Sequence, residues 1–351
     1  MSAVTALALY SGGLDSILAC RLLQEQGIHI RALQFVTPFS QGNLLEAKAA
    51  TAYCARAASA WGIELALCDL SPETTALLRH PSHGFGRNFN PCIDCKILMM
   101  RRAREEMARF GASFLVSGEV VGQRPMSQRR DTLRVIARES GCDDILLRPL
   151  SAQLLPPTRP EREGLVERDR LLGLSGRGRA AQMALARHYG LVDFPEPAGG
   201  CLLTDPILGA RIAGLYQGPF WFAPSEIQPR DLRLLLLGRQ FRLEGGAWCI
   251  LGRDEGENER LLSLRRQGDW ILWMEERSGP LVLLCREGLR PGADPAGLAT
   301  RQAASLVVRY GRKLDGITPP AQVRLETDDG GQPHFFEARA ASAEELTAWR
   351  L

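Results

Sequence analysis

Between an apolar run at residues 4–10 (VTALALY) and a segment of helical apolar spacing at 16–26 (SILACRLLQEQ) lies Ser11-Gly12-Gly13-Leu14-Asp15-Ser16. No other stretch restricts the chain so strongly. Glycines let the backbone turn tightly and approach a ligand, and successive N–H groups at a helix start bind anions, phosphates above all. The hydroxyls of Ser11 and Ser16 can donate further hydrogen bonds, and Asp15 can help position Mg2+ on a pyrophosphate. The plainer reading is a helix start capped by Asp15 or Ser16. Placement directly after the first strand favours the phosphate loop.

The periodicity that follows alternates between strand and helix. Residues 28–36 (IHIRALQFV) and 63–69 (IELALCD) read as strands, 44–60 as a helix, 95–110 as a long helix, and 113–117 (SFLVS) as a buried strand. Gly27 is a plausible stop for the first helix. Such alternation predicts an α/β fold, a Rossmann-like parallel sheet with helices on both faces and ligands beyond the carboxyl ends of the strands. Both SGGLDS and the later SGEVVGQ stand at such ends. Residues 151–180, rich in Pro, Arg and Gly, read as a flexible loop or a substrate-facing arm, and 181–190 as a helix. Residues 195–206 (PEPAGGCLLTDP) are turn-rich. Composition shifts after about residue 215. Short strands are expected at 232–237, 248–252, 270–274 and 281–285, with a helix at 296–310. The expected organisation is therefore a first domain over 1–215 and a smaller α+β domain over 216–351.

The length of 351 residues fits two domains, and 45% hydrophobic content suffices for a core. A net charge of +3 neither demands nor excludes nucleic acid, so any phosphate binding rests on local Arg clusters. The opening MSAVTALALY has no basic leader region, and no apolar stretch is long enough for a membrane helix. A cytoplasmic protein without membrane attachment is expected. Its nine cysteines are then more naturally reduced, catalytic or metal-binding than paired in structural disulfides.

Two of them fall in Asn90-Pro91-Cys92-Ile93-Asp94-Cys95-Lys96, at the opening of a helix. A thiol there has a lowered pKa and more of the thiolate that sulfur transfer or metal binding requires. Cys201 lies far along the chain in a second glycine turn, Gly199-Gly200-Cys201. With no second CxxC and no HxxxH, zinc is disfavoured. Three thiols can hold three irons of a 4Fe–4S cluster. Alternatively, Cys95 or Cys92 can work with Cys201 as a persulfide-and-resolving pair. Cys20, Cys54, Cys68, Cys142, Cys249 and Cys285 lie in apolar periodic segments and read as inert.

SGGLDS resembles the PP-loop signature of ATP pyrophosphatases, which cleave ATP between the α- and β-phosphates and adenylate their substrate. NPCIDCK resembles the NPCxxCN segment of tRNA 2-thiouridylases, with Lys96 where that family has Asn. Ser117-Gly118-Glu119-Val120-Val121-Gly122-Gln123-Arg124-Pro125-Met126-Ser127-Gln128 resembles the GE-x-x-GQ-x-x-SQ stretch of tRNA 4-thiouridine synthetases, as Leu147-Arg148-Pro149-Leu150 resembles their LRPL. The C-terminal region, with Gly238-Arg239-Gln240-Phe241-Arg242-Leu243 and the run 252–259, resembles the small RNA-binding domain of ribosome-quality-control proteins.

These resemblances imply an ATP site at Ser11, Gly12, Gly13, Leu14, Asp15, Ser16, Gln34, Gly118 and Gln123, with Asp15, Cys92, Cys95 and Cys201 catalytic. They imply ATP and Mg2+ as cofactors, with a 4Fe–4S cluster on Cys92, Cys95 and Cys201 as one sulfur route. They imply tRNA as partner, and a cysteine desulfurase as persulfide donor in the other route. The implied activity is tRNA uridine thiolation, the alternative being ATP-dependent sulfur transfer or amidation of a small molecule. In the C-terminal domain, Arg239, Arg242, Arg253, Arg265 and Arg266 are candidates for phosphate contacts, with Phe241 or Trp248 stacking on a base.

Overall fold

The structure, a computed structural model, describes residues 4–40, 44, 46–191, 194, 201–328 and 330–351. The chain divides into two compact units, Met1–Cys201 and Leu202–Leu351.

The first unit is built on a parallel sheet of β1 (Thr5–Leu9), β2 (His29–Val36), β3 (Glu64–Asp69), β4 (Phe114–Ser117) and β5 (Leu146–Leu147), in the order β3-β2-β1-β4-β5. Around it run α1 (Leu14–Gln24), α2 (Ala47–Trp61), α3 (Ser71–Leu77), α4 (Cys92–Glu106), α5 (Arg130–Glu139), α6 (Arg159–Arg162) and α7 (Ala180–His188). β1 is the central strand. Its Ala6, Leu7 and Ala8 are all buried, so both faces meet apolar side chains, as a strand covered on both sides requires. Leu9 pairs with Leu33 on β2 and with Ser117 on β4. Strands are added on one side of β1 by the first crossovers and on the other by the later ones. The crevice between the ends of β1 and β4 is therefore the topological switch point, where doubly wound sheets hold ligands.

The Pro/Arg/Gly-rich segment 151–180 is not a flexible loop. Ala152, Val166 and Leu171 are buried in the same core as β1 and α1. Ser151 Oγ donates to the Leu174 carbonyl at 2.7 Å, and the Arg168 guanidinium donates to the carbonyls of Ala152 and Leu155, both at 2.9 Å. Arg162 and Arg168 are consumed in satisfying the turns of a packed strap.

The second unit is an antiparallel sheet of β6 (Arg239–Arg242), β7 (Trp248–Leu251), β8 (Trp270–Met274), β9 (Val282–Cys285), β10 (Ala321–Glu326) and β11 (His334–Ala338), in the order β11-β10-β8-β9-β7-β6. Its helices are α8 (Pro206–Gln217), α9 (Pro229–Leu234), α10 (Glu255–Ser263), α11 (Leu298–Tyr310) and α12 (Ala343–Trp349). α11 buries an apolar stripe from Ala299 to Val308 on the sheet. Arg211 on α8 donates to the carbonyls of Leu235 (2.7 Å) and Gly238 (3.0 Å), which ties that helix into the unit. The expected strand at 232–237 is instead the end of α9. Pro229 opens a helix at its first turn, and the Asp231 carboxylate accepts from the Gln228 N–H at 2.9 Å, so the leucine run enters the core as a helical turn. β6, β10 and β11 had no counterpart among the expected strands. No helix among the described residues is long and apolar enough to cross a membrane.

Candidate active site

The loop after β1 turns as the two glycines allow. Gly12 has φ +76, and a Cβ there would lie 2.9 Å from the Tyr53 hydroxyl, which donates to Gln34 Oε1 at 2.9 Å. Ser16 Oγ donates to the Gly13 carbonyl at 2.7 Å and lies 3.3 Å from Ser11 Oγ. This ties the helix start to the loop, and the N–H groups of Ser11 and Gly13 lie 3.4 Å from the Ser16 and Ser11 hydroxyls. Leu14, placed among the ATP positions by resemblance, buries its side chain in the core, so only its backbone faces the loop. Gln34 is one strand away on β2, engaged with Tyr53.

The turn after β4 closes on the same place. A Cβ on Gly118 would stand 2.5 Å from the Asp15 carbonyl oxygen and 2.7 Å from the Ser16 nitrogen. Only glycine permits this approach of backbone to backbone. Gln123 then reaches over, its Nε2 donating to Asp15 Oδ2 at 2.6 Å. Two further residues, absent from the expected set, complete the arrangement. Arg179 Nη2 donates to Asp15 Oδ2 at 2.9 Å, and the buried Gln182 donates to Gln123 Oε1 at 2.9 Å. Both come from the start of α7. Their sequence signal was SGRGR (175–179) ahead of a helix, but nothing local ties that segment to Asp15, 164 residues away.

The motif residues around Glu119 form a buried charge cluster. Arg148 Nε donates to Glu119 Oε2 at 3.0 Å, and Lys96 Nζ stands 3.2 Å from Oε1. Burial alone would raise the Glu119 pKa. Lys96 and Arg148 outweigh it and hold the carboxyl down at about 2. Lys96, the departure from the asparagine of the resembled motif, thus joins α4 to the end of β4.

The CxxC segment opens α4 as expected, with Cys92 and Cys95 half-buried. Asp94 between them is buried and clamps the preceding loop. It accepts from the His83 N–H at 2.9 Å, and His83 Nδ1 lies 3.0 Å from its other oxygen. That hydrogen bond, opposed by partial burial and aided by the charges of Asp94 and Glu139, raises the His83 pKa. Cys201 is exposed at the end of the unit. Gly199 and Gly200 lie outside the described residues. The Cys95 thiol feels the charge of Cys92 in its own CxxC and also that of Cys201, more than a hundred residues along the chain. The expected thiolate character is reversed at Cys95. Desolvation comes first, then the neighbouring thiols, and together they push it up to about 12 against the pull of Lys96. Cys92, Cys95 and Cys201 are the residues that would hold a 4Fe–4S cluster, whose irons would ionise the thiols on binding; as they stand, no three His, Cys, Asp or Glu side chains among the described residues are placed around a metal ion. Asp15 does suit a cation that keeps most of its shell from substrate and water, because its Oδ1 is buried without a partner.

In the second unit most of the candidate arginines are committed. Arg253 chelates Glu257, its Nε 3.0 Å from both carboxylate oxygens. Arg265 donates to the Thr327 carbonyl at 3.0 Å, and Arg266 joins Asp231 and Asp269 in a buried charge network with Arg230 and Arg286. Phe241 and Trp248 are both 0% exposed, so neither can stack on a base; they are core residues, and Trp248 donates to Gln240. Arg239 lies over the Tyr310 ring at 4.5 Å. Arg239 and Arg242, both partly exposed on β6, are the two of the five without an ion pair to an acid among the described residues.

Residues 1–153 match the family described as thiamine biosynthesis protein (ThiI), and residues 238–350 match the NFACT protein RNA binding domain. No curated protein matches the chain significantly. Among solved structures, a 4-thiouridine synthetase in complex with RNA and ATP is 19% identical, with 52% of this chain and 50% of that one covered and a TM-score of 0.34. The U34-tRNA thiolase NcsA from Methanococcus maripaludis, solved with its 4Fe–4S cluster, is 14% identical, covering 62% and 68%, with a TM-score of 0.32. The C-terminal part of the fibronectin/fibrinogen-binding protein from Streptococcus suis is 9% identical, covering 74% and 94%, with a TM-score of 0.27. The match spans half the length of the 4-thiouridine synthetase. The two family matches thus fall on different units of the chain, the one similar to ThiI on the first and the one similar to the NFACT RNA binding domain on the second.

Proposed function

We propose that the chain thiolates a uridine of tRNA, activating a carbonyl oxygen with ATP and replacing it with sulfur. The observation that carries this is the junction at Asp15. The phosphate-type loop, the Gly118 turn and Gln123 converge there, within the ThiI-matched part of the chain. The Ser11–Ser16 loop binds the phosphates through its backbone N–H groups and hydroxyls. Asp15 would hold the Mg2+ that accompanies ATP, and that ion would supply charge neutralisation to the pyrophosphate. The uridine oxygen attacks the α-phosphorus, the bond between α- and β-phosphates breaks, and an adenylated base remains. Gln123, whose amide is engaged by Asp15 and Gln182, serves to hold Asp15 in place rather than to read a base.

For the second step we assign the sulfur to a persulfide. A cysteine desulfurase, or another persulfide donor, loads a sulfane sulfur on the exposed Cys201. That sulfur attacks the activated carbon and AMP leaves. A thiolate from the CxxC pair then attacks the Cys201 sulfur, forming a protein disulfide and releasing the thiolated base; a thiol reductant restores the pair. The thiols suit this because an adenylated base is short-lived in water and the nucleophile must already be near it. Domain roles follow the two units: ATP and thiol chemistry in the first, RNA contact in the second.

Mass spectrometry of tRNA nucleosides from cells with and without the protein tests the reading; loss of a thiouridine is expected, and an unchanged profile sinks it. Anaerobic purification tests the sulfur route. Iron-free protein, active with a persulfide donor, is expected. About four irons per chain, lost on Cys201→Ala, would instead establish the cluster.

A further inference from the structure

We infer that Arg179 is a phosphate-contacting residue, masked by Asp15 until Mg·ATP binds. The inference rests on the reading that SGGLDS holds ATP, and it names a residue that the motif does not contain. The starting point is charge. A triphosphate and its leaving pyrophosphate need cationic partners, yet SGGLDS carries only an acid. Lys96, the cation in the first turns of α4, is engaged with Glu119. The cation present at the loop is Arg179, 2.9 Å from Asp15 Oδ2.

The contact looks provisional in its chemistry. Asp15 Oδ1 and Arg179 Nε are each buried without a hydrogen-bond partner among the described residues, although a carboxylate and a guanidinium can pair through two parallel bonds. Each group therefore keeps a polar atom in reserve, which in a packed surround costs free energy unless a ligand fills it. Asp15 also cannot serve a metal fully while Arg179 holds its Oδ2. Mg2+ and Arg179 compete for the same carboxylate, and phosphate and Asp15 compete for the same guanidinium. Binding of Mg·ATP satisfies both exchanges at once: Asp15 turns to the cation and Arg179 to the phosphates.

The surrounding chain permits a small displacement without unravelling. Arg179 follows Gly176 and Gly178, and a side chain at either glycine would meet nothing within 4 Å. The segment is nonetheless anchored on both sides. Gly176 N–H donates to the Val121 carbonyl at 2.8 Å, and Gln182, one turn into α7, is fixed on Gln123. The arginine can move while the helix start stays in place.

The test is equilibrium binding of ATP and AMP to the full chain, with and without Mg2+, by calorimetry. AMP lacks the phosphates that Arg179 would hold. Arg179→Ala is expected to weaken Mg·ATP binding by about 10- to 100-fold and to leave AMP affinity within about two-fold. Arg179→Lys, which keeps the charge without the fork, should fall between. Asp15→Asn removes the mask and the negative charge, so metal-free ATP should bind several-fold more tightly while the gain from Mg2+ disappears. Thermal melting of each variant confirms that it folds. If Arg179→Ala lowers ATP and AMP affinity equally, or leaves ATP affinity unchanged, the assignment is overturned. If Asp15→Asn weakens metal-free ATP binding, the masking is overturned. Wild-type protein that binds neither nucleotide removes the ATP reading itself, a result distinct from selective failure at Arg179.

Discussion

Asp15 accepts from Gln123 and Arg179 on one oxygen and leaves the other for a ligand, so its substitution should act on chemistry more than on folding. Asp15→Ala is expected to cut pyrophosphate release by about 100-fold or more, the usual scale for losing one preorganised electrostatic group, with the melting temperature little changed. Normal release in an assay with ATP and tRNA would remove the PP-loop role. Gly118→Ala behaves differently. Its methyl would meet the Asp15 carbonyl at 2.5 Å, backbone against backbone, so neither side can give by rotating a side chain. A loss of roughly 1–3 kcal/mol in denaturant titration is expected, with ATP affinity lost alongside. Asp15 and Gly118 were legible in the sequence because each sits in a local motif at a strand end. Arg179 and Gln182 were not, since their role exists only after the strap 151–179 has packed back onto the first core. Phe241 and Trp248 were misread for a related reason: β6 and β7 are covered by parts of the second unit distant in sequence, and β7 is buried at every position.

At the scale of elements, α4, β4 and β5 are joined through one carboxylate. Glu119 follows β4, Arg148 follows β5 and Lys96 sits in the first turns of α4, so the thiol-bearing helix is indexed to the strand end that carries the Gly118 turn. The Glu119 carboxyl titrates near 2 in the folded chain against 4.5 as reference. Its ionised form therefore stabilises the fold above about pH 4.5, and that contribution, roughly 3 kcal/mol, disappears as pH falls toward 2. Glu119→Gln should flatten this acid limb in urea titrations across the range. It should also cost about 3–5 kcal/mol at neutral pH, because Lys96 and Arg148 lose their partner; an unchanged acid limb would refute the coupling. The parallel sheet was readable from strand–helix alternation, since each strand is short, apolar and followed by a stop signal. The leucine run at 232–237 was not, because four leucines in a row have no period; Pro229 and Asp231 decide it as a helical turn.

For the whole molecule, the modest net charge of +3 hides an uneven use of arginine. Arg253, Arg265 and Arg266 serve the second unit's own stability, which leaves Arg239 and Arg242 on β6 as the cations suited to RNA phosphates. tRNA affinity should fall steeply with salt, and Arg242→Ala should reduce the log–log salt slope by about one in filter binding at several ionic strengths. A slope identical to wild type would mean that β6 does not face RNA. By contrast, Arg253→Ala should lower stability, because it strips the buried Glu257 of its chelating partner. The division into two units could be sensed from composition, but α8 belongs to the second by virtue of Arg211, a contact that no compositional change announces.

The strap that returns Arg179 to Asp15 has a consequence for biosynthesis. A ribosome releases β1 and its glycine loop first, yet Arg179 and Gln182 emerge some 160 residues later, and Cys201 closes the unit. A nascent chain that already contains the entire ThiI-matched stretch still lacks the arginine, the second glutamine and the third thiol. The nucleotide and sulfur machinery is therefore complete only after the last turn of the first unit has left the exit tunnel, and a fragment ending at residue 153, which lacks the buried Val166, Leu171 and Ala186, should be recovered as an aggregation-prone chain with its core uncovered.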